Sequence, residues 1–381
     1  MKICLVGPTY PYRGGISHFT QMLAREFMTS HEVRVVGFSR LYPSFLFPGR
    51  TQFDQGGELV HVDAVREIDS INPWSWRRAA HAVARFGPGL VVFQWWQPFF
   101  APAFRFIAAR ARKRGARVVF LCHNVLPHEP KRFDRMLTRW GLGASDGFVV
   151  QSREDAAVLR SILPEARVEF NPMPIFDLFR DGDLGRADAR RRLGVDGNVI
   201  LFFGLVRAYK GLATLLDAFA LCAERLDATL LVVGEFYESR GPYDDRIRAL
   251  GIGHRVRIVD RYVSNEEVPV YFKAADVAVL PYVTATQSAV VQTAYAFAIP
   301  VIVTAVGGLP DVVDDGRTGF VVPPNSPGQL AEAIGRFYDE HVAERMSAAI
   351  RADRGVFSWR SCTDAIFRAA GAGAGAGEDN R

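Results

Sequence analysis

The sequence predicts two doubly wound α/β domains in series. Three observations carry that reading. Short apolar runs recur along the whole chain, segments with helical spacing follow many of them, and Gly- or Pro-bearing loops separate the two kinds. Runs that are apolar throughout, without alternation, belong to a parallel sheet covered on both faces. The chain has 381 residues, 49% hydrophobic and 23% charged, which is the make-up of an ordinary globular protein long enough for two domains.

In the N-terminal half, strands are expected at 2–6, 32–38, 89–94, 117–122 and 147–151, and helices at 17–28, 101–114 and 154–163. Phe19, Leu23 and Phe27 set the helical spacing of the first helix. The segment 169–177, with Pro172 and Pro174, reads as a linker. The pattern then repeats, with strands at 199–203, 228–233, 256–259, 277–280 and 301–304 and helices at 211–225, 265–274, 288–297 and 326–338. Ser326 at the cap and Pro327 at the first helical position mark the start of the last of these. The expected domains are 1–175 and 176–358, with a helix over 359–370 packing back on the first. The Gly/Ala-rich tail 371–381 has a composition that predicts disorder.

Net charge is +5, unevenly spread: residues 1–175 carry 23 Lys and Arg against 14 Asp and Glu, and the remainder has a balance of −4. A basic half beside a mildly acidic one points to an anionic partner, either an acceptor molecule or a membrane surface. No nucleic-acid-binding motif accompanies the charge, so nucleic acid is not expected. Cys4, Cys122, Cys222 and Cys362 stand far apart, with neither metal-ligand spacing nor a disulfide framework, which fits a reducing, cytoplasmic setting. The N-terminus lacks the pattern of a signal peptide, and no run reaches the ~18 apolar residues of a spanning helix. Any membrane association is therefore expected to be peripheral, on the inner face. Trp95, Trp96, Phe99 and Phe100 form either part of the core or a platform for an acceptor.

Chemistry-bearing residues gather where strands end. Gly14 and Gly15 lie between a loop and a helix start, where free N–H groups and the neighbouring Arg13 favour an anion. The spacing is not that of a dinucleotide fingerprint. His123 follows an apolar strand and should emerge at its C-terminal end, where imidazole can meet a sugar hydroxyl or hold a proton; His128 is a weaker candidate five residues on. Arg207 and Lys210 occupy the loop before a helix that opens after Gly211, a convergence suited to a diphosphate. Between the strand 277–280 and the next helix, Thr286 or Gln287 stands at the expected cap, leaving the amides of Ser288, Ala289 and Val290 free for phosphate. A helix end supplies at most ~2 kcal/mol, so the cations must supply much of the rest. Gly307 and Gly308 mark another strand end that can close the same cleft. Such loops, at the C-terminal edges of two sheets, are expected to face each other.

The order of these segments resembles glycosyltransferase family 4, the group 1 glycosyl transferases of GT-B fold. The likeness rests on Lys210-Gly211, "VVGE" ending at Glu235, "RYVSNEEVPVYFKAADVAVLPY" from Arg261, "AYAFAIPVIVTAVGGLPDVV" from Ala294, "DGRTGFVVPP" from Asp315, the Gly14-Gly15 loop and Cys122-His123-Asn124. It implies two Rossmann-like domains facing a central cleft and retaining, metal-independent transfer from a nucleoside-diphosphate sugar, with no cofactor. The acceptor is expected to be a glycan or lipid-linked molecule of surface-polysaccharide or glycoconjugate synthesis. The resemblance places the base and ribose near Glu235, Tyr262, Val263, Gln292 and Thr293, the diphosphate on Lys210, Arg207 and the amides at 288–290, and the donor sugar near His123, Ala285 and Gln287. It also implies that the leaving phosphate helps to deprotonate the acceptor. Two family glutamates, eight residues apart, are replaced here by Ala285 and Thr293, with Gln287 and Gln292 as nearby polar substitutes. The family arginine five residues before the lysine is Leu205, with Arg207 as the candidate replacement. Two alternatives remain open on sequence: a nucleotide-sugar-binding protein without catalysis, and a sugar-nucleotide epimerase.

Overall fold

Every pairing between the strands of this protein is parallel among the residues that the computed structural model describes, which are 1–43, 51–54, 60–127, 131–179 and 184–371. The chain divides into two units, one of Met1–Pro174 with the chain from Phe357 onward, the other of Ile175–Val356.

The first unit runs β1 (Lys2–Val6), α1 (Gly15–Met28), β2 (Glu32–Arg40), β3 (Ala64–Asp69), α2 (Pro73–Phe86), β4 (Leu90–Trp95), α3 (Ala101–Lys113), β5 (Arg117–Cys122), α4 (Asp134–Leu142), β6 (Gly147–Val150), α5 (Arg153–Ile162) and β7 (Val168–Phe170). Its sheet has the order β3-β2-β1-β4-β5-β6-β7. Every residue of β4 is buried, as a strand covered on both faces requires. Strand order reverses between β1 and β4, so the loops after these strands open at a topological switch point.

The second unit runs α6 (Arg186–Leu193), β8 (Asn198–Phe203), α7 (Leu212–Leu226), β9 (Ala228–Val233), α8 (Gly241–Ala249), β10 (Val256–Val259), α9 (Val268–Ala274), β11 (Val277–Leu280), α10 (Ala289–Ala296), β12 (Val301–Thr304), β13 (Gly319–Val322), α11 (Pro327–Asp339) and α12 (Ala343–Ala352). The order is β10-β9-β8-β11-β12-β13, with the switch point between β8 and β11. Asp276, just before β11, ties this sheet to α6 by accepting from Arg190 (3.0 Å) and from the Val199 amide (2.6 Å).

The chain then returns to the first unit as α13 (Trp359–Ala369), capped by Ser358, whose hydroxyl accepts from the Ser361 amide. This helix lies against α1, β5, β6 and β7. It packs so closely that a Cβ on Gly147 would overlap the Ala369 backbone.

Among the departures from the sequence reading, three boundaries and one cap have a clear physical reason or consequence. The segment 169–177 is not wholly a linker, because Glu169 and Phe170 pair with Val149 and Val150 in β6 and β7; the prolines that suggested a linker begin just after. Helix α9 starts at Val268 rather than 265, since Glu267 folds back to accept from the Ser264 amide and hydroxyl and holds that stretch as a turn. Helix α10 starts at Ala289, with Ser288 in the extended cap conformation in place of Thr286 or Gln287. Ser326 does cap α11, but its hydroxyl makes no cap bond. Residues 372–381 of the expected disordered tail, and His128, lie outside the described residues.

Candidate functional site

In the second unit the loops after β8, β9, β11 and β12 interlock at the C-terminal edge of the sheet, and glycines set their spacing. Gly211 has φ +69°, and a Cβ there would overlap the Pro281 carbonyl oxygen. Gly307, at φ +53°, backs onto Ala285 in the same way. Gly308 donates to Thr286 O at 2.9 Å and Val283 to Tyr209 O at 2.7 Å. The lysine-bearing turn, the 281–288 loop and the Gly307-Gly308 loop are therefore one packed assembly.

At its centre the Lys210 ammonium donates to the Tyr282 hydroxyl at 3.1 Å and lies 4.9 Å from that ring's centroid. The same hydroxyl is 3.4 Å from Ser288 Oγ, at the cap of α10. Lysine and helix start, which follow the two strands flanking the switch point, thus share one tyrosine. Burial works against the Lys210 charge, but the hydroxyls of Tyr282 and Tyr209 more than offset it and hold the pKa above the usual lysine value. A Cβ on Gly204 would stand 3.2 Å from the ammonium and 3.6 Å from Val290, so glycine keeps this corner open. Among the described residues no backbone acceptor takes the amides of Ser288, Ala289 or Val290, the first groups of a helix that carry partial positive charge.

One turn into α10, Gln292 is 1% exposed and neither its Oε1 nor its Nε2 has a hydrogen-bond partner. Leaving a buried amide group unpaired costs ~1–3 kcal/mol, so this side chain has both its donor and its acceptor available to a group entering the site. Thr293 is turned inward on its own helix, donating to Ala289 O at 2.9 Å. Arg207 lies over the Tyr237 ring at 4.9 Å, close enough to Lys210 for its charge to lower that group's pKa. Glu235 is buried beside the turn, its carbonyl accepting from Val206 N at 2.9 Å. Tyr262 and Val263 follow Arg261, whose bidentate pair with Glu267 fixes that loop and drives the Glu267 pKa down to about 2. Ala285 is buried and Gln287 half-buried, one residue either side of Thr286 in the packed loop.

Two family models cover most of the chain: "Glycosyl transferase 4-like domain" matches residues 14–174 and "Glycosyl transferases group 1" matches residues 197–340. The chain belongs to the group 1 glycosyltransferases. It is 31% identical, over 60% of its length and 52% of the relative's, to a D-inositol 3-phosphate glycosyltransferase of Mycobacteroides abscessus. The chain spans about half the length of the curated relatives it matches. Its fold is similar to that of a sucrose-phosphate synthase from Thermosynechococcus elongatus (21% identity, TM-score 0.72, 97% of each chain). It is also similar to Anabaena HepE in complex with UDP (16% identity, TM-score 0.73, 97% of this chain and 99% of that one). These likenesses show the GT-B fold.

In the first unit of this group 1 glycosyltransferase, Gly14 caps α1 at φ +109° and Gly15 is exposed, with open space where a Gly14 Cβ would stand. His123 directly follows β5, at the strand's C-terminal end, and is buried there. It is 5% exposed, with Nε2 2.7 Å from Gln94 Oε1, Nδ1 3.3 Å from Gln151 Oε1, and Phe19 edge-on at 4.7 Å. Burial pushes its pKa down to about 4, so the ring is neutral at pH 7 and carries one N–H. One glutamine must then turn its amide N–H to the ring, and Gln94, whose Nε2 otherwise lacks a partner, is placed to do so. The suggested aromatic platform is core: Trp95 and Phe100 are fully buried, Trp96 nearly so, and the indoles donate to Val125 O and the Tyr42 hydroxyl. Their large apolar area decides the outcome.

Sequence reasoning assigned no role to Tyr282, Gln94 or Gln151. Gln94 and Gln151 each stand at the C-terminal end of an otherwise apolar strand run, as His123 does. A polar side chain recurring at that place on three neighbouring strands was the available signal. Among the described residues no group of three or more His, Cys, Asp or Glu gathers as a metal would need.

Proposed function

We propose that this chain is a retaining glycosyltransferase that moves a sugar from a nucleoside diphosphate to a glycan or lipid-linked acceptor. The observation that supports it most is the meeting of the Lys210 ammonium, the Tyr282 hydroxyl and the open helix start at Ser288 at the switch point of the second unit. Lys210 and the amides at 288–290 take the diphosphate, with Arg207 beside them. Gln292 takes the ribose in place of the missing glutamate, and Glu235 and the 262–263 backbone border the base. Gly14 and Gly15 approach the donor phosphates, and His123 and Gln287 the donor sugar.

The bond between the anomeric carbon and the β-phosphate oxygen breaks as the acceptor oxygen bonds to that carbon on the same face. The departing phosphate oxygen takes the acceptor proton, so no side-chain base is needed. Lys210 stabilises the charge that builds on that phosphate, the kind of interaction that lowers barriers most. Transfer assays with a panel of sugar nucleotides test the reading, uridine nucleotides first because HepE holds UDP. Activity that survives both Lys210→Ala and His123→Ala overturns the site.

A second reading, binding without catalysis, draws on Ala285 and Thr293 at the glutamate positions and on the enclosure of His123 by its own glutamines. Calorimetry separates the two: nucleotide binding with no turnover on any acceptor selects the second. Conversion of donor alone, without acceptor, would instead select an epimerase.

A further inference from the structure

Helix α4 of the first unit turns large apolar side chains outward. Phe133, just before it, and Met136 and Trp140 within it are 69%, 63% and 46% exposed. Their spacing of three and four residues puts them on one helical stripe. The inward face is formed instead by Thr138, Gly141 and Leu142. Gly141 lets that face approach α3, for a Cβ there would stand 2.6 Å from Ala101 Cβ. Cations surround the stripe. Lys131, Arg132 and Arg139 are exposed and have no acidic partner among the described residues, and Arg105 of α3 lies 5.0 Å from the Trp140 ring. The supporting surface is basic as well. No Asp or Glu occurs between Asp69 and Glu129, a stretch that includes all of α2 and α3, and α3 packs against both α2 and α4. On α2, Trp74 is 67% exposed with Arg77 at 4.6 Å from its ring. Asp134, the carboxylate within α4, is taken up by the Lys131 amide at 2.7 Å.

Exposed aromatic and Met side chains in a field of one sign of charge fit a partner that is both apolar and anionic. We propose that the α4 stripe inserts into the headgroup region of an anionic lipid bilayer, with Lys131, Arg132 and Arg139 against lipid phosphates. No described helix is long and apolar enough to cross a membrane, so the contact is interfacial. The surface shares no residue with the donor site, and the proposal stands apart from the transfer reaction.

Flotation of the full chain with lipid vesicles tests it. The chain should float with vesicles containing phosphatidylglycerol and far less with pure phosphatidylcholine, and raised salt should release it. Phe133→Asp with Met136→Asp should lower the partition coefficient at least tenfold. Lys131→Gln, Arg132→Gln and Arg139→Gln together should lower it on the order of 100-fold, at about fivefold per cation. Nucleotide affinity should be unchanged in both variants, and circular dichroism with a thermal melt matching the wild type should report that the first unit, which carries α4, is folded. Equal flotation with neutral vesicles, salt-insensitive binding or no flotation of the wild type overturns the proposal. So does sedimentation showing a dimer that Phe133→Asp dissolves, which would make a second copy the occupant. Should the aspartate variant unfold, the lipid and salt series on the wild type still decides.

Discussion

The two histidine- and lysine-bearing edges of this protein are built on the same topology and finished in opposite ways. In the first unit the polar group at the strand end, His123, is enclosed by Gln94, Gln151 and Phe19, and is neutral because it is buried. In the second unit the corresponding edge keeps groups in reserve: a charged Lys210, three helix amides without backbone acceptors and a buried Gln292 with neither end paired. Both edges keep a buried amide group without a partner, on Gln94 in the first and on Gln292 in the second, and what differs is charge: a neutral ring in one, an ammonium in the other. The pair teaches that position at a strand end does not by itself decide what a polar group does; the charge its surroundings allow it does.

The largest test of that contrast is Lys210→Ala. It should lower kcat/KM for transfer by about 10²–10³-fold, as expected for a group that stabilises developing charge, while thermal stability changes little. A large fall in Tm with intact turnover would make Lys210 structural and break the comparison. Next in size is the pH response of His123. Its folded pKa of about 4 lies below the ordinary value of 6.5, so the native state binds fewer protons than the unfolded one between those values, and stability is lost as pH falls through that window. Asp155, pushed up to about 6 by burial, acts in the opposite sense over much of the same range and masks this loss in the wild type. Denaturant titrations should therefore show His123→Gln gaining about 3 kcal/mol relative to wild type between pH 7 and pH 4. A constant difference across that range would mean that the ring is not neutral and enclosed.

Smaller again is Gln292→Leu. Removing two unpaired buried groups should leave the ligand-free protein unchanged or stabilised by ~1–2 kcal/mol, while nucleoside-diphosphate affinity falls severalfold by calorimetry. Loss of stability with unchanged affinity would put an internal partner on Gln292. Arg207→Ala should have the least effect, a few-fold weakening that salt largely erases, because the guanidinium lies on Tyr237 at the edge of the site.

Much of the fold was legible because the strands are short, apolar and punctuated. The runs at Arg117–Cys122, Ala228–Val233, Val256–Val259, Val277–Leu280 and Val301–Thr304 read from sequence with their observed ends. Where hydrophobic pattern was diluted, reading failed. Helix α6 has arginines at four of its eight positions and one buried residue, Ala189, so its place is set by Arg190 reaching Asp276 far along the chain. Strand β3 has Arg66 and Glu67 at its centre, as an edge strand can. In the site, loops with glycines and cations announced themselves, but Tyr282 joining lysine to helix is a tertiary fact that no spacing encodes.

The return of α13 to the first unit makes the second an insertion within it. A ribosome delivering this chain releases Ile175–Val356 before Trp359, so the later-encoded body is the first able to complete its core, the reverse of the usual N-terminal-first order. Stopping synthesis after Val356 should accordingly yield a protease-resistant second body and a first one that is readily cut, its Gly147 groove waiting for the helix that never arrives.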